Sequence, residues 1–188
     1  MKFINNKTIQ LDKIMNELDR FVVRFIRRLE NHADYVIVSG YVSLLFGRAR
    51  STEDIDIFIK ILPKEKFSML YGALEREGYW CLNCEDVDDI YDYLKDRLAV
   101  RFALKDEIIP NFEVKFAMTD LDKQSLLASL TVITPLGNLK ISSLERQIAF
   151  KRYYLKSDKD IEDAKHIENI FKGHINTEMV KEYQKLLK

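Results

Sequence analysis

The chain has 188 residues, with 30 Lys and Arg against 30 Asp and Glu, so its formal net charge is zero. That balance excludes a protein that coats nucleic acid through a general basic excess. A composition that is 47% hydrophobic and 11% aromatic excludes a disordered charged tail. The numbers predict one compact unit, divided here into residues 1–128 as a core and 129–188 as a hairpin and helical part packed on it.

The first ten residues are polar and lack the apolar run of a signal peptide, and no window approaches a membrane span, so a cytoplasmic protein is expected. From Leu11 to Asn31 apolar residues recur at helical spacing (Ile14, Leu18, Phe21, Phe25, Leu29), with Arg24, Arg27 and Arg28 at other positions. Tyr35 to Val38 reads as a buried strand, Ser39-Gly40 as a tight turn, and Val42 to Phe46 as a short helix closed by Gly47. Ile55 to Ile61 is a second strand, and Pro63 opens a helix to about Gly78. Cys81 and Cys84 form a lone C-x-x-C in a strand-like tract. It lacks the further ligands of a zinc site and reads as structural thiols. The acidic stretch from Glu85 begins a helix ending near Arg97. Two strands follow, at 98–104 and 108–117, then a hairpin around Pro135-Leu136-Gly137. The remainder is helical: about 143–155, 159–172 and 177–187. The order predicts an α/β (α+β) fold, a small mixed sheet flanked by helices, with a C-terminal helical part.

The chemistry concentrates between Val36 and Lys60. Asp54 and Asp56 are two apart on a strand, so they project from the same face. Adjacent carboxylates repel, and hard oxygen ligands suit Mg²⁺ or Mn²⁺. Glu113 alternates with Phe112 and Val114 on another strand and is a candidate third ligand, or a base. Three carboxylates from adjacent strands can hold two such ions, lower the pKa of an attacking hydroxyl and stabilise a leaving pyrophosphate. Gly40 allows close backbone approach, and the Ser39 hydroxyl and the amides that follow can meet phosphate oxygens. Arg48 and Arg50 can hold phosphate charge in bidentate fashion.

Gly turn, short helix, basic loop and D-x-D, in this order and at close spacing, resemble the nucleotidyltransferase superfamily of polymerase-beta type. Arg50-Ser51-Thr52-Glu53-Asp54-Ile55-Asp56 resembles the variant found in abortive-infection (AbiEii) type toxins and related nucleotidyltransferases. The family's first Gly is replaced here by Ser39. Lys151, followed by Lys159-Asp160-Ile161-Glu162-Asp163, resembles the family's later helical motif. The resemblance implies a nucleotidyltransferase core that binds an NTP over Ser39, Gly40, Arg50 and Thr52. Asp54, Asp56 and Glu113 would ligate Mg²⁺, Lys151 would reach the phosphates, and Asp160 would shape the site. It implies transfer of a nucleoside monophosphate to a tRNA end or a protein side chain, a cognate antitoxin as partner, and no membrane partner. From the residues alone, Lys151 also reads as part of a solvated basic helix face, and Asp160 as a first-turn charge. A small hydroxylated acceptor such as an antibiotic is the alternative substrate. A nucleotide-binding regulatory module without turnover is the alternative class, and the last helix leaves a homodimer open.

Charge is uneven along the chain. Residues 85–97 carry a local charge of −4 and residues 138–160 one of +3. Neutrality therefore leaves room for a confined cationic wall.

Overall fold

A computed structural model describes residues 1–187. Its frame is one nine-stranded mixed sheet built from β1 (Lys2–Asn5), β2 (Thr8–Gln10), β3 (Tyr35–Ile37), β4 (Asp54–Ile59), β5 (Tyr79–Cys81), β6 (Val100–Leu104), β7 (Asn111–Phe116), β8 (Leu130–Thr134) and β9 (Gly137–Ile141). The strand order is β1-β2-β8-β9-β3-β4-β7-β6-β5. The helices are α1 (Glu17–Leu29), α2 (Gly40–Leu45), α3 (Lys64–Arg76), α4 (Val87–Lys95), α5 (Asp120–Leu127), α6 (Leu144–Ala149), α7 (Asp158–Ile170) and α8 (Thr177–Leu186). A π-helical turn, Phe150–Leu155, continues α6.

The centre of the sheet positions the site. β3 runs antiparallel to β4, and β4 runs parallel to β7 over six consecutive pairs, which set Asp54 opposite Asn111 and Asp56 opposite Glu113. Strict alternation along β4 buries Ile55, Ile57 and Ile59 and leaves both aspartates half-buried on the other face. On β7 the same alternation sends Phe112 to the apolar face, where Phe25 of α1 stacks on it with ring centroids 3.8 Å apart. α1 therefore covers the side of the sheet opposite to the carboxylates.

α1 begins six residues later than its apolar spacing starts. Asn16 caps it, its side chain accepting from the Asp19 amide while Asp19 accepts from the Asn16 amide. Leu11 instead continues the pairing of β2 with β8, its amide donating to the Ile133 carbonyl at 2.9 Å. The hairpin β1–β2 and α5 were not expected from the sequence. Both are short, and β2 owes its place to parallel pairing with β8, a contact over 120 residues away in the chain. The β8–β9 hairpin pairs with both β2 and β3 and so belongs to the same sheet as the core. Cys81 and Cys84 are both free thiols, the first buried and the second half-buried. Among the described residues no helix is long and apolar enough to cross a membrane.

Candidate active site

β3 ends in the turn that opens the site. The Val38 amide donates to the Asp56 carbonyl at 2.9 Å, locking the end of β3 to β4. Ser39 then turns with φ 62° and ψ −136°, a left-handed conformation in which a Cβ is strained. That is where the resemblance places a glycine, and the serine adopts a glycine-like backbone all the same. Its hydroxyl is near enough to the Asp56 carboxylate to favour the ionised form. Gly40 follows as the first residue of α2, and a Cβ there would lie 3.2 Å from Nη2 of Arg50. The missing side chain lets the Arg50 guanidinium lie against the turn.

Asp56 is held in a hostile environment for a charge. Burial, then the charge of Glu113, then that of Asp54, push its pKa up to about 6, against smaller lowering effects from the Ser39 hydroxyl and Lys115. Asp54 is oriented by Thr52, whose hydroxyl donates to the Asp54 carbonyl at 2.9 Å and lies 3.3 Å from its Oδ1. Glu113 is different. Burial works to raise its pKa, but hydrogen bonds and charge from Lys115 and Arg101 outweigh burial and hold it below the usual value. Lys115 is 2.8 Å away, and Arg101, paired directly across on β6, is 3.3 Å away.

Glu113 thus stands beside Asp54 and Asp56 with its charge compensated by Lys115 and Arg101. Among the described residues no three His, Cys, Asp or Glu side chains draw together as a metal-holding group. Repulsion at this face is offset at Glu113 by two cations, one on its own strand and one on the next. The donor set still fits Mg²⁺. Asp54 and Asp56 offer hard oxygens on one face, and the crowding that raises the Asp56 pKa is what a cation there relieves. Magnesium takes few protein ligands and completes its shell with water and phosphate oxygens.

The cationic side is organised around Asp163, which the sequence reading passed over as a site residue. Asp163 is fully buried and accepts from Arg50 Nη1 at 2.5 Å, Arg48 Nε at 3.3 Å and Lys151 Nζ at 2.8 Å. Lys151 also reaches Asp160 at 3.2 Å, and Arg48 pairs with Glu162. Lys151 is itself 0% exposed. This corrects two expectations. Lys151 is not a solvated face residue, and its ammonium is engaged by two carboxylates and not extended toward open space. The π-helical turn swings it inward between α6 and α7. Asp160 does stand in the first turn of α7, capped by Ser157, and also closes this network. Two signals for Asp163 were present in the sequence: it stands three residues beyond Asp160, on the same helix face, and it completes the helical motif.

Beside the Arg50–Glu53 loop lies a cleft of about 700 Å³, with apolar walls from Phe21, Leu44 and Ile109 and acidic groups from Glu17, Glu53 and Glu107.

No family model and no curated protein matches the chain by sequence. Solved structures match by fold. The solution structure of the antibiotic-resistance factor ANT(2'')-Ia aligns with TM-score 0.52 at 16% identity, over 89% of this chain and 91% of that one. The crystal structure of ANT(2'')-Ia in complex with adenylyl-2''-tobramycin gives 0.56 at 15%, over 89% and 95%. An antigenic nucleotidyltransferase-like protein from Paracoccidioides brasiliensis gives 0.56 at 17%, over 91% and 87%. The chain therefore has the nucleotidyltransferase fold across nearly its whole length.

Proposed function

We propose that this protein is a nucleotidyltransferase that moves a nucleoside monophosphate from an NTP to an acceptor hydroxyl, in the cytoplasm. One observation carries the reading. Asp54 and Asp56 share one face of β4, beside Glu113, at the mouth of the Ser39–Gly40 turn.

In this reading the triphosphate lies over Ser39 and Gly40, against the Arg50 guanidinium. Asp54 and Asp56 hold Mg²⁺, which when bound screens phosphate charge and favours ionisation of the acceptor. Thr52 fixes the rotamer of Asp54. Asp163, with Lys151 and Asp160 behind it, fixes Arg50. Glu113, kept ionised by Lys115 and Arg101, accepts the proton that the acceptor hydroxyl loses. The acceptor oxygen attacks the α-phosphorus in line, the bond to the bridging oxygen breaks, and pyrophosphate leaves. Positioning and charge stabilisation do most of the work.

The AbiEii-like motif supports an RNA end or a protein side chain as acceptor, with a cognate antitoxin as regulator. A second reading is favoured by the acidic cleft beside Thr52, whose volume suits a small ligand. There the acceptor is a small hydroxylated cation, as with the adenylylated tobramycin bound to ANT(2'')-Ia.

The test is incubation of the purified protein with each α-labelled NTP, Mg²⁺ and, separately, total RNA, protein extract and a panel of polyhydroxylated amines. Label is expected in one fraction and absent with Asp56→Asn. NTP binding without transfer in any fraction would favour the regulatory module. Neither binding nor transfer would end the nucleotidyltransferase reading.

A further inference from the structure

On the far side of the sheet from the carboxylates, α1 carries a second charged feature that the transfer reaction does not use. Its outer surface presents Arg20, Arg24, Arg27 and Arg28, all exposed. The four side chains, with Val23 and Leu136, line a cleft of about 270 Å³. Acidic groups near it are few. Glu77 meets Arg28 at 2.5 Å and Arg24 at 3.7 Å, and Glu17 and Glu30 stand only at the two ends of the helix.

The guanidinium groups are held in place. Arg24 donates to the Glu77 carbonyl at 2.8 Å, and Arg27 donates to the Leu136 carbonyl at 2.5 Å. Each of these hydrogen bonds uses only Nη2 of the donor fork. Arg20, Arg24 and Arg28 repeat every four residues, so they form a stripe that steps roughly 6 Å along the helix axis, with Arg27 beside it. Every cation in the stripe is an arginine, the side chain whose planar fork matches phosphate oxygens bidentately.

We propose that this arginine stripe is a docking surface for the phosphate backbone of a single-stranded nucleic acid, separate from the transfer centre. The spacing of the stripe is close to that of successive phosphates along a strand. An acidic protein is the less fitting occupant, because a stable protein interface needs an apolar centre. Here Val23 is buried and Leu136 is the one partly exposed apolar side chain in the lining. The overall neutrality of the chain is consistent with such a confined stripe.

The test is fluorescence anisotropy of the full-length protein, without NTP, on a labelled 12-nucleotide single-stranded RNA and a DNA of the same sequence. With about four phosphate contacts, log K is expected to fall with log salt at a slope near −3, making binding roughly 50-fold weaker at 200 mM than at 50 mM salt. Arg20 has the fewest anchors in the stripe. Arg20→Ala should reduce the slope by about 0.7, and Arg20→Glu should weaken binding more than tenfold. Lys105→Glu, an equal charge change on the exposed β6–β7 turn, should leave the slope unchanged. Far-UV circular dichroism of each variant confirms folding. An unaltered slope in Arg20→Glu would overturn the proposal. So would absence of binding at 50 mM salt, or displacement of both strands by polyglutamate at equal charge concentration. Absence of RNA binding would also weigh against an RNA acceptor, whereas nucleotidyl transfer itself is read separately by label.

Discussion

Replacing Asp56 by asparagine separates what the residue does for the reaction from what it does to the fold. In the unfolded chain this carboxyl ionises around 3.8, whereas in the folded chain it holds its proton up to about 6. Its contribution to stability is therefore full below the unfolded value and is lost as pH rises through about 6. At neutral pH the ionised group disfavours the fold by at most about 3 kcal/mol. Asp56→Asn should therefore abolish transfer and raise the melting temperature at pH 7.5, with the gain over the parent vanishing by pH 4. Thermal melts across that range check it, and a lower melting temperature at pH 7.5 would contradict the crowding of charge at this face. Ser39 offers a second residue-scale test. Both Ser39→Ala and Ser39→Gly delete the hydroxyl beside Asp56, but only glycine relaxes the backbone at φ 62°. The glycine variant should be more stable than the alanine variant by about 1–2 kcal/mol in urea denaturation. Equal stabilities would mean the turn stores no strain.

At the scale of elements, the link between the α2–β4 loop and α7 carries the load. Asp163 is buried with three cations on it, so removing its charge leaves Arg50 without its carboxylate and Lys151 and Arg48 with only Asp160 and Glu162. Asp163→Asn should cost roughly 3 kcal/mol or more, lowering the melting temperature by about 6–12 °C for a chain of this size. Lys151→Met should cost less, because Arg48 and Arg50 still neutralise Asp163. Reversal of that order would mean that Lys151 is the organising charge. These elements also mark where the sequence could be read and where it could not. β3, α2 and β4 were legible because alternation and the Ser39-Gly40 turn are local signals, and they place Asp54 and Asp56 on one face. The pairing of Asp56 with Glu113 follows from strand alternation plus one guess about adjacency. The engagement of Glu113 by Lys115 and Arg101 depends on which strand lies on its other side, and no local pattern encodes that. The inward turn of Lys151 depends on a π-helical insertion, whose residues (Phe150–Leu155) show ordinary helical spacing. The start of α1 is illegible in the sequence because Leu11 and Met15, outside the helix, are both buried and mimic helical periodicity.

At the scale of the whole molecule, the two ends of the chain close on each other. Phe3 in β1 stacks on His174 with ring centroids 4.3 Å apart and meets Phe171 edge-on at 5.7 Å, so the first strand is fastened to the segment between α7 and α8. Phe171 in turn packs edge-on against Phe46 at 4.7 Å, directly behind α2 and the turn that opens the site. The path from β1 to α2 is one of packed rings, and the nine-stranded sheet and the C-terminal helices should melt together because of it. A double-mutant cycle of Phe3→Ala and His174→Ala should give a coupling of about 0.5–1.5 kcal/mol in chemical denaturation, with a single transition in every variant. Additive effects would mean that the hairpin and the helices are independent neighbours. In that case the site would be supported from β3, β4 and α7 alone, and loss of the first ten residues would leave nucleotide binding unchanged.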